Sequence, residues 1–265
     1  MTSSYIPISN LQLSFAVLLV LITGGVSALL RLGLLKSLIW GTIRTVVQLT
    51  LVGYVLAYVF SINNLWLVFG ILTVMCLVAS KTATSRAANV SDYPSLLAFI
   101  SLFCSTFLIG SMVVGLIISP EPLYSARIVI PIFGMILGNS MNAVALALDR
   151  LYSDARSNSS RIETLLSFGA TPWEAIRLSI VTALRAGMTP TINSLMTVGI
   201  VSLPGMMTGQ ILSGIDPRQA VKYQIVVLLM VAAAAAVSCL LIVSLSHKKL
   251  FNADGALEDH VLHSR

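Results

Sequence analysis

Long apolar runs separated by short polar stretches fill most of this chain. We distinguish seven runs, at residues 11–30, 38–60, 65–80, 95–118, 127–148, 191–214 and 219–245. A bilayer core of about 30 Å is crossed by about 20 residues of helix, and backbone groups in lipid must be hydrogen-bonded within the segment. The pattern therefore predicts about seven transmembrane helices. Their one long connection is 149–189.

The composition agrees with this pattern. Of the 265 residues, 57% are hydrophobic and only 10% are charged, and the mean hydropathy is +0.93. A soluble domain carries about 25% charged residues. The predicted fold class is therefore an all-α polytopic membrane protein, in which residues 1–265 form a single transmembrane domain surrounded by lipid. We expect no nucleic-acid partner.

Lysine and arginine are unevenly divided between the loops, and this bias sets the orientation of a membrane protein. One side carries Arg127, Arg218 and Lys222. The other side carries Arg31, Lys36, Lys81, Arg86, Arg150, Arg156, Arg161, Arg177, Arg185, Lys248 and Lys249. The richer side is predicted to be cytoplasmic, so the N-terminus lies outside and the C-terminus inside. We expect a multi-pass protein of the cell inner membrane, with a polar tail at 247–265 of which residues 252–265 are mobile.

The long connection contains an amphipathic segment, "RIETLLSFGATPWEAIR" at 161–177. It belongs to a region of about 158–178 that the charge bias places in the cytoplasm. Ser160 and Glu163 have the spacing of a capping box, which predicts a helix that starts near Ser160. Gly169 can adopt the left-handed conformation that ends a helix.

A second helix is predicted to follow at once. Thr171 and Glu174 form another capping box, with Pro172 at the first helical position, where its missing N–H costs nothing. One interpretation is a pair of interfacial helices in the lipid headgroups, anchored by Trp173. The other is a rigid helix-turn-helix that serves as a docking element for a partner.

The chain lacks the G-x-x-x-x-G-K-[ST] motif that holds the phosphates of ATP. The nearest sequence, Ser80-Lys81-Thr82, has no glycine-rich turn before it. If the protein uses ATP, another chain binds it. We find no catalytic residues in the sequence, so the chain is not predicted to be an enzyme or to bind a cofactor itself.

Arg44 and Gln48 lie one turn apart in the second predicted span. An arginine at the centre of a membrane helix costs about 2.5–3.5 kcal/mol on insertion scales. Either Arg44 extends its side chain to the headgroups, or the two residues face the bundle and belong to a translocation pathway.

The fifth span combines two glycines with a polar face. Gly134 and Gly138 have the spacing that permits close helix packing, and Met135, Asn139 and Asn142 share one face. The asparagines can simply hydrogen-bond neighbouring helices. Alternatively, their amide oxygens and the thioether of Met135 line the pathway.

The sixth span is interrupted by Pro204, Gly205, Met206 and Met207, and Gly209 repeats the close-packing spacing. Proline and glycine release backbone carbonyls, which transporters use to bind substrate or to form a hinge. The alternative is a plain kinked helix at a dimer interface. We favour the pathway, because methionine sulfur suits late transition metals.

Ionisable ligands are scarce in the predicted spans. No His, Asp or Glu lies well inside any of them, since Asp149 stands at a span end. A tight site of several carboxylates is therefore excluded within one chain, and the metal ligands stay unknown. Weak contacts from Asn, Ser, Met and backbone carbonyls remain.

Several stretches carry a resemblance to a known family: "RIVIPIFGMILGNSMNAVAL" at 127–146, "LLSFGATPWEAIR" at 165–177, "TVGIVSLPGMMTGQILSGIDPRQAVKYQI" at 197–225 and "GTIRTVVQLTLVGYVLAYVF" at 41–60. Together they resemble the FetB-type iron-export permease family, to which plant aluminium-tolerance half-transporters are similar. The 160–177 segment also resembles the cytoplasmic loop of ABC-transporter permeases, whose coupling helix inserts into a groove on the ATP-binding subunit. The chain departs from that loop pattern at Ala183, where the pattern has proline.

The resemblance implies a permease homodimer that pairs with two cytosolic ATPases, which bind ATP and Mg²⁺, and that exports iron or another divalent metal. It implies a coupling role for eight residues: Arg161, Glu163, Gly169, Ala170, Thr171, Pro172, Trp173 and Glu174. Two alternatives stay open. The protein could be a stand-alone secondary transporter or channel, or an ABC permease for a nucleotide sugar or another organic solute.

Overall fold

The structure is a computed structural model that describes residues 9–62, 64–87, 95–252 and 255–258. The described chain forms nine α-helices: α1 Asn10–Leu29, α2 Leu35–Ile62, α3 Leu65–Arg86, α4 Ser95–Met112, α5 Ala126–Ser157, α6 Ser159–Ser167, α7 Pro172–Thr197, α8 Gly205–Leu212 and α9 Pro217–Ser246. A π-helical turn, Val113–Ile118, extends α4, and a 3₁₀ turn, His247–Leu250, extends α9.

Seven of these helices, in the described ranges, have 18 residues or more, and the two short ones are α6 and α8. Five are both long and apolar enough to cross a membrane: α2, α3, α4 with its π turn, α5, and α9 with its 3₁₀ turn. In α1 the apolar stretch is shorter, Leu18–Leu29. The prediction of an all-α polytopic membrane protein is confirmed.

The sixth predicted span, 191–214, is wrong in its bounds. The structure has a continuous helix, α7, that ends at Thr197, and a separate short helix, α8. The chain reverses between them because Gly199 takes φ +84°, a conformation open to glycine, and its N–H donates to the carbonyl of Ser202 at 2.9 Å. Most of the predicted 149–189 connection is therefore helical.

Helix α5 is central, and it packs against α3, α7 and α9. By contrast, α1 and α2 leave most of their apolar side chains exposed. At its C-terminal end α2 is attached by the buried Val59 and by Phe60, whose ring lies 6.0 Å from the guanidinium carbon of Arg127. The well-packed part of the bundle therefore consists of α3, α4, α5, α7 and α9.

Close helix contact depends on a glycine, Gly187, that the sequence analysis did not identify. A Cβ on Gly187 of α7 would lie 2.8 Å from the carbonyl oxygen of Ala143 and 2.7 Å from the Sγ of Cys239. Gly187 therefore lets α7 approach α5 and α9 at once. Among the predicted packing glycines, a Cβ on Gly134 would lie 3.3 Å from Met75 Cε.

The other two predicted packing glycines make no such contact within this chain. A Cβ on Gly138 or on Gly209 would meet no described atom within 4 Å, and both residues are exposed. Their role in packing against another chain stays a prediction.

The beginning of the C-terminal tail is packed against the bundle, so the prediction of mobility for 252–265 is wrong for the described residues 255–258. Leu250 is fully buried, and Phe251 pairs with the buried Leu257 in an antiparallel bridge. These few apolar side chains join the core cluster that includes Ile162 and Ile176. The remainder of the tail lies outside the described residues.

Candidate functional site

A cavity of about 380 Å³ lies between α5, α7, α8 and α9. Five of the predicted pathway residues line it: Met135, Asn139, Pro204, Gly205 and Met206. These residues come from two segments that are distant in sequence, and the structure brings them to one surface. Their role in translocation remains to be tested.

The walls of this cavity also include polar residues that the sequence analysis missed. Thr191 and Ser194 come from the end of α7, and Gln224 comes from the first turns of α9. Gln224 is only 6% exposed, and its Oε1 is buried without a hydrogen-bond partner in the described part of the chain. The available signal was an amide near the start of the last span, directly before the apolar run 225–237.

Local hydrogen bonds determine which polar atoms face a ligand. The amide nitrogen of Asn139 donates to the carbonyl of Met135 at 2.9 Å, within α5. The hydroxyl of Ser194 donates to the carbonyl of Pro190 at 3.0 Å, within α7. Ser194 thus uses its one donor and Asn139 one of its two amide N–H groups inside their own helices, and the oxygens of both side chains remain as acceptors.

A smaller cavity of about 90 Å³ continues along the same face of α5, where Asn139 and Asn142 line it together with Gly187 and Pro190. The Oδ1 of Asn142 accepts a hydrogen bond of 2.9 Å from Nη1 of Arg86, at the end of α3. Asn142 therefore also ties α5 to α3, as the hydrogen-bonding alternative for the asparagines proposed.

Four predicted pathway residues are not among those that line the main cavity: Asn142, which lines the smaller one, and Arg44, Gln48 and Met207. Arg44 and Gln48 are exposed on α2, which contacts the packed bundle near Val59 and Phe60. Met207 is half-buried on α8, and only its neighbour Met206 reaches the cavity wall. The single chain thus places Arg44 and Gln48 apart from the cavity.

The predicted coupling segment, about 158–178, begins differently from the prediction. The capping box at Ser160 and Glu163 is wrong, because Ser160 lies inside α6, where its carbonyl accepts the hydroxyl of Thr164. The N–H of Asn158 donates to Asp154 of α5, and α6 follows almost without interruption. Helix α6 therefore begins at Ser159 without a side-chain cap.

The turn after α6 is built as predicted. Gly169 takes φ +88°, its N–H donates to Leu166, and the N–H of Ala170 donates to Leu165 at 3.0 Å. This pair of bonds is a Schellman motif, and it satisfies the last carbonyls of α6. Gly169 is therefore required at this position by its conformation.

The second capping box is confirmed. Thr171 Oγ1 accepts from the N–H of Glu174, and the Glu174 carboxylate accepts from the N–H of Thr171 at 2.9 Å. The hydroxyl of Thr171 also donates to that carboxylate at 2.7 Å. This hydroxyl and then the backbone N–H lower the pKa of Glu174, because both stabilise its charged form.

The tip of the segment presents a large aromatic side chain outward. Phe168 is 85% exposed, whereas Ile162, on the same helix, is fully buried. The carboxylates of Glu163 and Glu174 are exposed as well, while Arg161, Ala170 and Pro172 are half-buried. The amphipathic stripe seen in the sequence therefore splits into a buried part and an exposed tip.

Trp173 is partly covered by the start of the tail. Its ring lies 4.8 Å from the His247 ring in an edge-to-face arrangement, and its side chain is 44% exposed. The described part of the tail therefore braces the coupling segment from one side.

The coupling segment and the cavity lie at opposite ends of one helix. Helix α7 starts at Pro172 in the turn and reaches the cavity at Thr191–Val198. A helix of that length spans about 39 Å. Because Gly187 locks α7 to α5 and α9, a displacement of the turn can be carried along α7 toward the cavity.

Ionisable metal ligands do not cluster in the described ranges. No group of three or more His, Cys, Asp or Glu side chains is placed there to hold a metal ion. The main cavity is lined only by uncharged side chains, with amide, hydroxyl and thioether groups among apolar ones.

Comparison with known proteins places the chain in a family. Residues 10–251 match the model of Uncharacterised protein family (UPF0014). The chain is 38% identical to "Probable iron export permease protein FetB" of Escherichia coli, over 93% of each chain. It is 40% identical to "UPF0014 membrane protein slr1647" of Synechocystis, over 86% of this chain and 90% of that protein.

A plant protein is similar as well. "Protein ALUMINUM SENSITIVE 3" of Arabidopsis thaliana is 33% identical over 88% of this chain and 84% of its own length. No solved structure matches. With a family model that covers nearly the whole chain and several relatives above 30% identity, this chain belongs to the UPF0014 family of membrane proteins.

Proposed function

We propose that this chain is the membrane-spanning permease of an ABC transporter, driven by a separate cytosolic ATPase that binds ATP and Mg²⁺. The observation that carries the proposal is the capped turn between α6 and α7, which presents an 85% exposed Phe168 at its tip. A side chain of this size contributes much to binding when a partner buries it. The turn therefore fits the groove of a partner protein better than a solvated loop.

The proposed direction of force follows from the arrangement of α7. Closure of the ATPase subunits on ATP would move the turn at Pro172, and α7 would transfer that movement to the cavity wall at Thr191 and Ser194. The cavity would then open toward the opposite side of the membrane. This assignment places the coupling segment in the cytoplasm and the N-terminus outside, in agreement with the positive charge bias of the loops.

We further propose that the cargo is iron or another divalent metal and that the protein exports it as a homodimer with two ATPases in the cell inner membrane. Support for the cargo and the direction comes from the Escherichia coli relative named as a probable iron export permease. The thioethers of Met135 and Met206 in the cavity wall are compatible with such a cargo.

The test is co-purification of an ATPase with the tagged permease from detergent extracts. Phe168→Asp should abolish association while the protein still inserts and elutes as a single species. Trp66→Ala is the matched control, because Trp66 is 80% exposed at the start of α3, outside the coupling segment. Glu163→Lys, also on the exposed side of α6, should weaken association.

A permease that transports its cargo without any ATPase would contradict the proposal and favour a stand-alone transporter. Normal association of both Phe168→Asp and Glu163→Lys would instead show that the partner docks elsewhere. Metal-stimulated ATPase activity of the purified complex, measured with Fe²⁺ and with organic solutes, decides between the classes of cargo.

A further inference from the structure

The main cavity presents an unusual set of polar atoms. The Oε1 of Gln224 is buried, lines the cavity and has no hydrogen-bond partner among the described residues. Burial of an unpaired amide oxygen is unfavourable, so natural proteins satisfy such groups with a ligand or an ordered water. The position of Gln224 therefore indicates that something with a hydrogen-bond donor occupies the cavity.

Two further oxygens reach the cavity from more exposed side chains. Ser194 uses its hydroxyl hydrogen inside α7, and Asn139 uses one of its two amide N–H groups inside α5, so that each offers the cavity an acceptor oxygen. Together with Gln224, these acceptors favour a ligand that presents several donors. Metal-bound water is such a ligand, because the cation polarises its O–H bonds.

The uncharged lining of the cavity disfavours a bare divalent ion. A cation stripped of its water loses its hydration energy, and the uncharged side chains that line this cavity do not replace it. The volume of about 380 Å³ is also far larger than an ion needs. At about 30 Å³ for each water, it holds on the order of ten, enough for an ion with a complete first shell.

We propose that this cavity binds the metal cargo with its coordination shell intact, as a hydrated ion or a small complex with donor groups, and that Gln224 is the buried anchor that accepts from that shell. The inference rests on the proposed function, since it takes the cargo to be a metal. It makes Gln224 a specificity-determining residue, through hydrogen bonds to the shell rather than to the metal.

The test uses the full chain in lipid nanodiscs and two probes. Hexaamminecobalt(III) does not exchange its ligands, so a protein can bind it only through the shell. Aqueous Co²⁺ exchanges freely, and its visible spectrum reports a change from octahedral to tetrahedral coordination. Isothermal titration gives the affinities, and absorption spectra of the bound Co²⁺ give the geometry.

We expect hexaamminecobalt(III) to bind, and Gln224→Met to weaken it at least tenfold, about 1.4 kcal/mol. Gln219→Met is the matched control, because Gln219 is exposed at the start of the same helix. Gln224→Glu keeps acceptor oxygens and should bind at least as tightly as the native chain. It also decides the result if Gln224→Met fails to fold. Bound Co²⁺ should keep its weak octahedral spectrum.

Three results would overturn the inference: no binding of the inert complex, equal affinity in the native chain and Gln224→Met, or intense tetrahedral bands from bound Co²⁺. None of these depends on the ATPase. If the probe binds in a way that depends on Gln224 but no ATPase activity is coupled to the permease, only the proposed function is contradicted. If an ATPase associates with the permease but the probe does not bind, only this inference is contradicted.

Discussion

Replacement of Gly187 by alanine tests the packing that joins the coupling segment to the cavity. The new Cβ would lie 2.8 Å from the carbonyl oxygen of Ala143 and 2.7 Å from Cys239 Sγ, and 3.1 Å from Ala147 Cβ. The carbonyl belongs to the backbone of α5 and cannot rotate away. Helix α7 must therefore move away from α5, and this movement weakens its other contacts with α5 and α9.

The magnitude follows from two opposed effects. An extra carbon in a well-packed core costs about 1–3 kcal/mol. Alanine gains up to about 1 kcal/mol over glycine in intrinsic helix propensity. Gly70→Ala on α3 is the matched control. A Cβ there meets no described atom within 4 Å, so this variant has the gain in helix propensity without the packing cost. We expect Gly187→Ala to be less stable than Gly70→Ala by about 1–3 kcal/mol.

The assay is thermal unfolding in detergent, followed by size-exclusion chromatography of the heated samples. At roughly 2–4 °C for each kcal/mol, the two variants should differ by several degrees. Cys239→Ala combined with Gly187→Ala should recover only part of the loss, since the Ala143 carbonyl remains in place. Equal or higher stability of Gly187→Ala relative to Gly70→Ala would show that α7 does not approach α5 this closely.

Four further predictions concern other contacts. Thr171→Ala removes the side-chain cap of α7 and should destabilise the protein by about 1 kcal/mol in chemical or thermal unfolding. The pKa of Glu174 is lowered in the folded state. The ionised carboxylate therefore stabilises the fold above the ordinary pKa of 4.5, and this stabilisation is lost as the pH falls through the lowered pKa. Between pH 5 and pH 3, the native chain should lose more stability than Thr171→Ala, which lacks the hydroxyl that lowers the pKa. A double-mutant cycle on Ser105 and Ser238, whose buried hydroxyls lie 2.6 Å apart between α4 and α9, should give a coupling energy of about 0.6–1.7 kcal/mol, and a value near zero would exclude this hydrogen bond. Leu250→Ala should cost about 2–5 kcal/mol, because the side chain is fully buried in the described tail, whereas an unchanged melting temperature would indicate a free tail.

The coupling segment shows how far local sequence rules extend. Gly169 and the Thr171–Glu174 box could be read from the sequence, because both are made by atoms within a few residues of each other. The box at Ser160 could not be judged in the same way. The structure shows that α5 continues to Ser157 and that α6 starts at Ser159, so Ser160 lies inside the helix and not at its cap.

Helix α7, which overlaps the sixth predicted span, shows how far hydropathy can predict a helix. Arginines and polar residues in 172–197 lower the apolar character of α7, and the sequence therefore suggested a long loop followed by a span at 191–214. In the structure, α5 and α9 cover the face of α7 that carries Ala183 and Gly187. Packing against two neighbours stabilises a helix that a window of sequence does not identify.

By itself, the sequence determined the class of the molecule, the capped turn at Gly169 and the polar face of α5, because each depends on periodicity or on neighbouring residues. The tertiary structure decided which faces meet. It brought Asn139, Met206 and the unpredicted Gln224 to one cavity, left Arg44 away from it, and packed Leu250 beside the coupling segment. Such contacts join residues far apart in the chain. Their free energy depends on the distance between helices, and a local sequence pattern does not contain that distance.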